Sequence, residues 1–201
     1  MNTTFSRRSL FAAAGATILF AAGCSAKTPG SGSSAPAGSA NPDLIAELGF
    51  AGMDAKEIIT ELDALPLEQR PAGIMASIRP DELVLMDAAK REAAVPMPAD
   101  EFYVSVAPYV AQTHECHFHS LTTCVGEQRN KEMSVTVKDN ATGKAVLEEK
   151  RSTFDNGFMG LWLPRGIDAT LTIGFDGKSA TQALSTKAGD DATCVTTAQL
   201  T

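Results

Sequence analysis

The rhythm of apolar and polar positions changes partway along the chain. Around residue 58 it is helical: Ile58, Ile59, Leu62 and Leu65 fall on one face. Asp54 followed by Glu57 has the spacing of a capping box, and Pro66 and Pro71 end the run. Just upstream, Asn41-Pro42 and Gly49 bracket a shorter helix over 43–48. Residues 41–71 therefore read as a small helical appendage. It has too little apolar surface to fold alone and must pack on the main domain or a partner chain. From residue 72 on the period shortens to two. Residues 82–87 and 92–97 read as a hairpin around Ala88-Ala89-Lys90-Arg91, with helix as the alternative. Strands are predicted at 102–106, 133–137, 145–149, 157–163 and 169–175, and a last one carries Cys194. Turns are read at 139–144, at Asp155-Asn156-Gly157 and at Asp176-Gly177, and Pro164 stops the run that contains Trp162. The expected class is mainly β (α+β): an antiparallel β-sandwich or open barrel over 72–201, with the helical appendage in front.

The first 40 residues follow neither rhythm. Ser6-Arg7-Arg8-Ser9-Leu10-Phe11 is a twin-arginine pattern, and the apolar stretch 10–22 is too short for a membrane span. It ends in Ala21-Ala22-Gly23-Cys24, which resembles a bacterial lipobox with alanine where leucine is commoner. Residues 1–23 are read as a signal, and Cys24 as a lipidation site that anchors the chain at the outer face of the cytoplasmic membrane. The alternative is an ordinary exported protein in which Cys24 is discarded or idle. Residues 24–40 are almost all Ser, Gly, Ala, Pro and Thr, a flexible tether of roughly 20–25 Å reach.

Charge narrows the partners. The 201-residue chain has 24 acidic and 17 basic side chains. That acidic balance argues against nucleic acid and anionic headgroups, and it is compatible with metal cations. There is no Gly-rich phosphate loop and no Cys-x-x-Cys motif. The methionines other than the first (Met53, Met75, Met86, Met97, Met133 and Met159) are scattered and read as core, as does Trp162.

The chemistry is concentrated in one segment. The three histidines of the chain are His114, His117 and His119, all within six residues and wrapped around Cys116. With Cys24 lipidated, Cys116, Cys124 and Cys194 remain, an odd number for disulfides. Thiolates beside imidazoles select Cu(I) or Zn(II) over hard cations. If the segment is extended, His114, Cys116 and Phe118 share one face, with Phe118 in the core, and His117 and His119 share the other. A turn at 120–123 would return Cys124 to Cys116, and an adjacent strand would have to deliver Cys194. Three sulfurs would make a trigonal site for Cu(I), whereas zinc, less favoured, would want His119 or His117 as a fourth ligand. Thiolates also reduce Cu(II) and can finish as a disulfide. A structural disulfide, Cys116–Cys124 or Cys124–Cys194, stays open at this level, as does an enzyme reading in which Cys116 and Cys124 cycle as a thiol oxidoreductase.

The segment Cys116-His117-Phe118-His119-Ser120-Leu121-Thr122-Thr123-Cys124, followed by Gly126-Glu127, resembles the signature of the CueP family of periplasmic copper-binding proteins. Further similar stretches are Arg79-Pro80-Asp81, residues 102–109, Thr153 to Phe158, Gly160 to Pro164, and Ala192-Thr193-Cys194. The resemblance runs from about Leu65 to the end. It implies copper binding outside the cytoplasmic membrane, in copper tolerance, buffering or delivery to copper-requiring exported proteins. The metal-site cysteines it implies are Cys116, Cys124 and Cys194. The front departs from the family, whose soluble members carry a plain signal; a tethered protein differs in how far it could carry copper. The reading carried forward is a lipid-anchored copper binder of the cell envelope, with Cu(II) reduction as a further activity and a homodimer left open. A zinc- or disulfide-stabilised structural lipoprotein is the alternative.

Overall fold

Both helices begin where their caps put them. Asn41 accepts a hydrogen bond from the backbone N–H of Leu44 at 3.1 Å and starts α1 (Pro42–Glu47). Asp54 and Glu57 each accept from the other's backbone N–H at 2.9 Å, closing the capping box of α2 (Ala55–Ala64). This computed structural model describes residues 41–201. The signal, the tether and the Cys24 lipidation site fall on residues 1–40 and lie outside the described residues.

Ten strands follow: β1 (Met75–Ile78), β2 (Glu82–Met86), β3 (Glu92–Pro96), β4 (Glu101–Val106), β5 (Glu132–Asp139), β6 (Ala145–Ser152), β7 (Met159–Pro164), β8 (Asp168–Phe175), β9 (Lys178–Ser185) and β10 (Cys194–Val195). They form three sheets, ordered β1-β2-β3, β10-β4-β7 and β6-β5-β8-β9. The chain is thus mainly β, built of antiparallel ladders as expected. The one exception is β10, which runs parallel to β4 and sets Cys194 opposite Ser105. Sequence periodicity did not mark β1 or β9. β9 has small and polar residues at most positions, and its place is set by full-length pairing with β8 across the Asp176-Gly177 turn.

Strand β4 is the hinge of the architecture because it is buried on both faces. Phe102, Val104 and Val106 point into the sandwich core with β7 and the four-stranded sheet. Tyr103, on the other face, joins a second core in which Ile58, Ile59 and Leu62 of α2 pack against Ile78, Leu83 and Leu85. The helical segment therefore closes one side of the β-domain. Met133 and Met159 lie in the sandwich core, but Met75 is 47% exposed. Trp162 is half-buried, edge-on to Tyr103 with Lys56 above its ring, so it covers the core rather than filling it.

Candidate metal centre

Three separate parts of the chain meet beside β4. The segment 117–121 runs antiparallel to the edge of β1: Ile78 N–H donates to the His119 carbonyl at 2.8 Å, and Leu121 N–H to Ala76 at 2.9 Å. On its other side the His117 carbonyl accepts from the N–H groups of Thr193 and Cys194, each at 3.0 Å. Thr193 locks the junction, its hydroxyl donating to the Ile78 carbonyl at 2.6 Å and accepting from His119 N–H at 3.0 Å. A turn from Ser120 to Cys124, closed by Cys124 N–H on the Ser120 carbonyl at 3.1 Å, brings the second cysteine back over the first.

The result is a cluster of three free thiols. Cys116 Sγ and Cys124 Sγ are 3.6 Å apart, and Cys194 Sγ is 3.7 Å from His119 Nδ1. Donor atoms of His119, Cys124 and Cys194 all lie within 4.8 Å of one another. Bonds of about 2.3 Å at trigonal or tetrahedral angles set ligand atoms about 3.8–4.0 Å apart, so these separations suit a single ion. Cys194 and His119 are buried, Cys124 is 9% exposed, and Cys116 is half-exposed. Cys124, Cys194, Phe158 and Ala107 pack as a small apolar cluster of their own, with Cys116 against it.

The electrostatics single out Cys124 as the first thiolate. Hydrogen bonds from the Cys116 and Cys194 thiols and the nearby His119 ring hold its pKa far below that of a free thiol, against the cost of burial. The same contacts work in reverse on the donors. Donating to Cys124 pushes Cys116 up to about 11, and bonds to Cys116 and Cys124, with burial, raise Cys194. The Ser120 N–H also points at Cys124 Sγ at 3.4 Å, and Arg70 donates to its carbonyl at 2.8 Å.

Behind the histidine stands a buried carboxylate. Asp63, on the last turn of α2, accepts from the Tyr103 hydroxyl and from Asn156 Nδ2 at 2.8 Å. Its Oδ1 lies 3.7 Å from His119 Nε2, longer than a hydrogen bond but close enough for strong attraction at zero exposure. Burial alone would lower the His119 pKa, yet Asp63 and the Cys124 thiolate outweigh it and the net shift is upward. Asp63 is likewise opposed by burial and still lowered, by His119, Tyr103 and Asn156. With Nε2 turned to Asp63, Nδ1 faces the sulfurs. This is the carboxylate–histidine arrangement that fixes which ring nitrogen is offered to a metal.

The structure gathers Cys116, Cys124, Cys194 and His119. His117 points away: it is exposed, with Nε2 2.9 Å from the Asp190 carbonyl and its ring against Phe118. The strict face alternation expected for 114–119 does not hold, because 113–119 is not a strand and bends at 117–118. Phe118 is accordingly half-buried rather than a core residue, and His119 shares a side with the cysteines. Asp63, Tyr103, Asn156 and Phe158 were not among the expected site residues. An acid on the apolar face of α2, four residues after Ile59, was the one local signal for Asp63. Asn156 and Phe158 read as turn and strand, but Phe158 stacks its ring 4.5 Å from that of His119.

Residues 57–199 match the family model described as periplasmic copper-binding protein CueP. The fold also matches the solved structure described as "Crystal Structure of S.CueP" with a TM-score of 0.73 and 36% sequence identity, covering 80% of this chain and 96% of that one. No curated protein sequence matches. Among the described residues no helix is long and apolar enough to cross a membrane. With the family model spanning most of the chain, and a relative of known structure at this identity, the chain belongs to the CueP family of periplasmic copper-binding proteins.

Proposed function

We propose that this protein binds copper outside the cytoplasmic membrane, for tolerance, buffering or delivery, and holds Cu(I) through Cys116, Cys124 and Cys194 with the Nδ1 of His119 as a further ligand. The observation that carries the reading is the convergence of three free thiols and one oriented imidazole, drawn from distant parts of the chain, around Cys124. A mostly buried, sulfur-rich site with one thiolate already formed favours a soft monovalent ion over a hard divalent one. The test is anaerobic competition for Cu(I) between the reduced protein and a chelator. Wild type should bind one ion tightly, and Cys116→Ser, Cys124→Ser and Cys194→Ser should each lose affinity. Binding indifferent to Cys194→Ser would remove that cysteine from the site.

Reduction of Cu(II) is part of the proposal. Cys116 and Cys124 join as a disulfide: the Cys116 thiol gives one proton to solvent, Cys124 being already the thiolate, and the two electrons released each convert one Cu(II) to Cu(I). The 3.6 Å gap between the sulfurs needs only a local closure to the bond length of about 2.0 Å. Reduced wild type should deliver two Cu(I) to a Cu(I)-specific chelator, and Cys124→Ser none by this route. We further propose that residues 1–23 export the chain and that lipidated Cys24 with the 24–40 tether holds the 41–71 helices and the 72–201 domain at the membrane. Cys24→Ser should move the protein from the membrane to the soluble fraction.

A further inference from the structure

His114 takes no part in the cluster just described, yet it is placed to. Donor atoms of His114, Cys116 and Cys124 lie within 4.8 Å of one another, a second set of three that shares Cys124 with the set His119, Cys124 and Cys194. The Nε2 atom of His114 is buried and has no hydrogen-bond partner. A polar atom left so costs free energy unless something else satisfies it.

The two sets differ in access. His114 and Cys116 line an open pocket of about 300 Å³ with Tyr109, Thr113, Glu115 and Thr196. Neither Cys194 nor His119 lines it, and both are buried. Of the proposed copper ligands, Cys116 alone reaches this opening. The loop that carries His114 is held in place from outside the site. Glu127 accepts from the backbone N–H groups of Val110, Ala111 and Gln112 at 2.7, 3.0 and 3.2 Å, and the Thr113 hydroxyl donates to the Thr196 carbonyl at 2.5 Å. Phe158 lies beneath both histidines, edge-on to His114 with centroids 6.1 Å apart and tilted against His119 at 4.5 Å.

We infer that His114 is the outer ligand of a two-position path for Cu(I): the ion is taken up at the pocket by His114, Cys116 and Cys124 and passes inward to Cys194 and His119 with Cys116 and Cys124 still bound. Cys116 and Cys124 stay bound in both positions, so the ion is never released during the transfer. At the outer step the Cys116 thiol gives its proton to solvent as the S–Cu bond forms. At the inner step the Cys194 thiol and, where it is protonated, the His119 ring give their protons to solvent as the Cys194–Cu and His119 Nδ1–Cu bonds form, and the His114–Cu bond breaks. The charge on copper does not change, and release follows the same steps backwards. The inference rests on the copper-binding function proposed above.

The test compares wild type, His114→Ala, His114→Phe and His119→Ala, all reduced, mixed rapidly with Cu(I) held by a bidentate chelator. His114→Phe keeps a ring against Phe158 without a ligand nitrogen, and thermal melts establish that each variant folds. Both His114 variants should exchange Cu(I) about tenfold more slowly in each direction, the change that about 1.4 kcal/mol of lost transition-state stabilisation produces. Their loss of affinity should be far smaller than that of His119→Ala. Rates within about twofold of wild type, in a folded variant that still binds Cu(I), overturn the path while leaving the function standing. A loss of affinity in His114→Phe equal to that in His119→Ala also overturns it, because His114 would then be a resident ligand. Wild type that takes up no Cu(I) overturns the path together with the function on which it rests.

Discussion

At the residue scale the site works by dividing protons unequally among three chemically identical thiols. Cys124 ionises first because its neighbours donate to it, and for the same reason Cys116 and Cys194 hold their protons. Binding Cu(I) near neutral pH must therefore expel about two protons, one from each donor thiol, and a further one from His119 wherever its raised pKa keeps the ring protonated. The affinity should rise by at least about two orders of magnitude per pH unit around pH 7, flattening only as pH approaches the Cys116 value of about 11. Competition titrations at a series of pH values read this slope, and a slope near zero would mean that the thiols bind already deprotonated. Asp63 acts through His119. Asp63→Asn keeps the shape but loses the charge facing Nε2, and it should weaken Cu(I) binding by about 10–100-fold with the cysteines intact. An unchanged affinity in that variant would leave Asp63 a purely structural acid.

At the element scale, two loops approach so closely that side chains are excluded. Gly126 N–H donates to the Asn156 carbonyl at 2.6 Å, and Gly157 sits at φ +80° against the Gly126 backbone. A Cβ on Gly126 would lie 2.7 Å from the Gly157 carbonyl oxygen, and one on Gly157 would fall on the backbone of Gly126. These loops carry Cys124 and Phe158, so the contact sets the spacing of thiol and aromatic wall. Gly157→Ala should cost about 2–3 kcal/mol, read as a lower urea midpoint at unchanged slope. A midpoint within error of wild type would show that the loops separate without penalty. The same reasoning explains why a residue run read as an ordinary turn, Asp155-Asn156-Gly157, supports the site. Asn156 bridges Asp63 and the Phe158 N–H, tying α2 to the residue that leads into β7.

Across the whole molecule, the buried pair Asp63–His119 links the helical segment to the β-domain and makes stability depend on pH. The folded pKa of Asp63 is lowered, so its contribution is present above the unfolded value of about 3.9 and is lost as pH falls through the folded one. That of His119 is raised, so its contribution is full below about 6.5 and fades as pH rises through the folded value. The contribution of this pair to the stability of the metal-free protein should be fullest between about pH 4 and 6.5. The difference in urea midpoint between wild type and Asp63→Asn should be largest in that window and shrink on the alkaline side; a difference that stays level from pH 5 to 9 would deny the coupling. By itself the sequence determined the elements and the class. Capping residues, period-two alternation and turn dipeptides act over a few residues, and eight of the ten strands lie where those local signals put them or close by. It also determined the core of the site, because Cys116, His119 and Cys124 fall within nine residues and a single turn joins them. What only the tertiary structure decided is which groups from elsewhere arrive. Cys194 is brought in by a two-residue parallel pairing with β4, and Asp63 by the packing of α2. His119 turns inward while His117 turns out because the chain bends where β1 and the 193–194 segment claim its carbonyl groups. Those choices rest on contacts between residues up to 115 positions apart, and no local pattern encodes them.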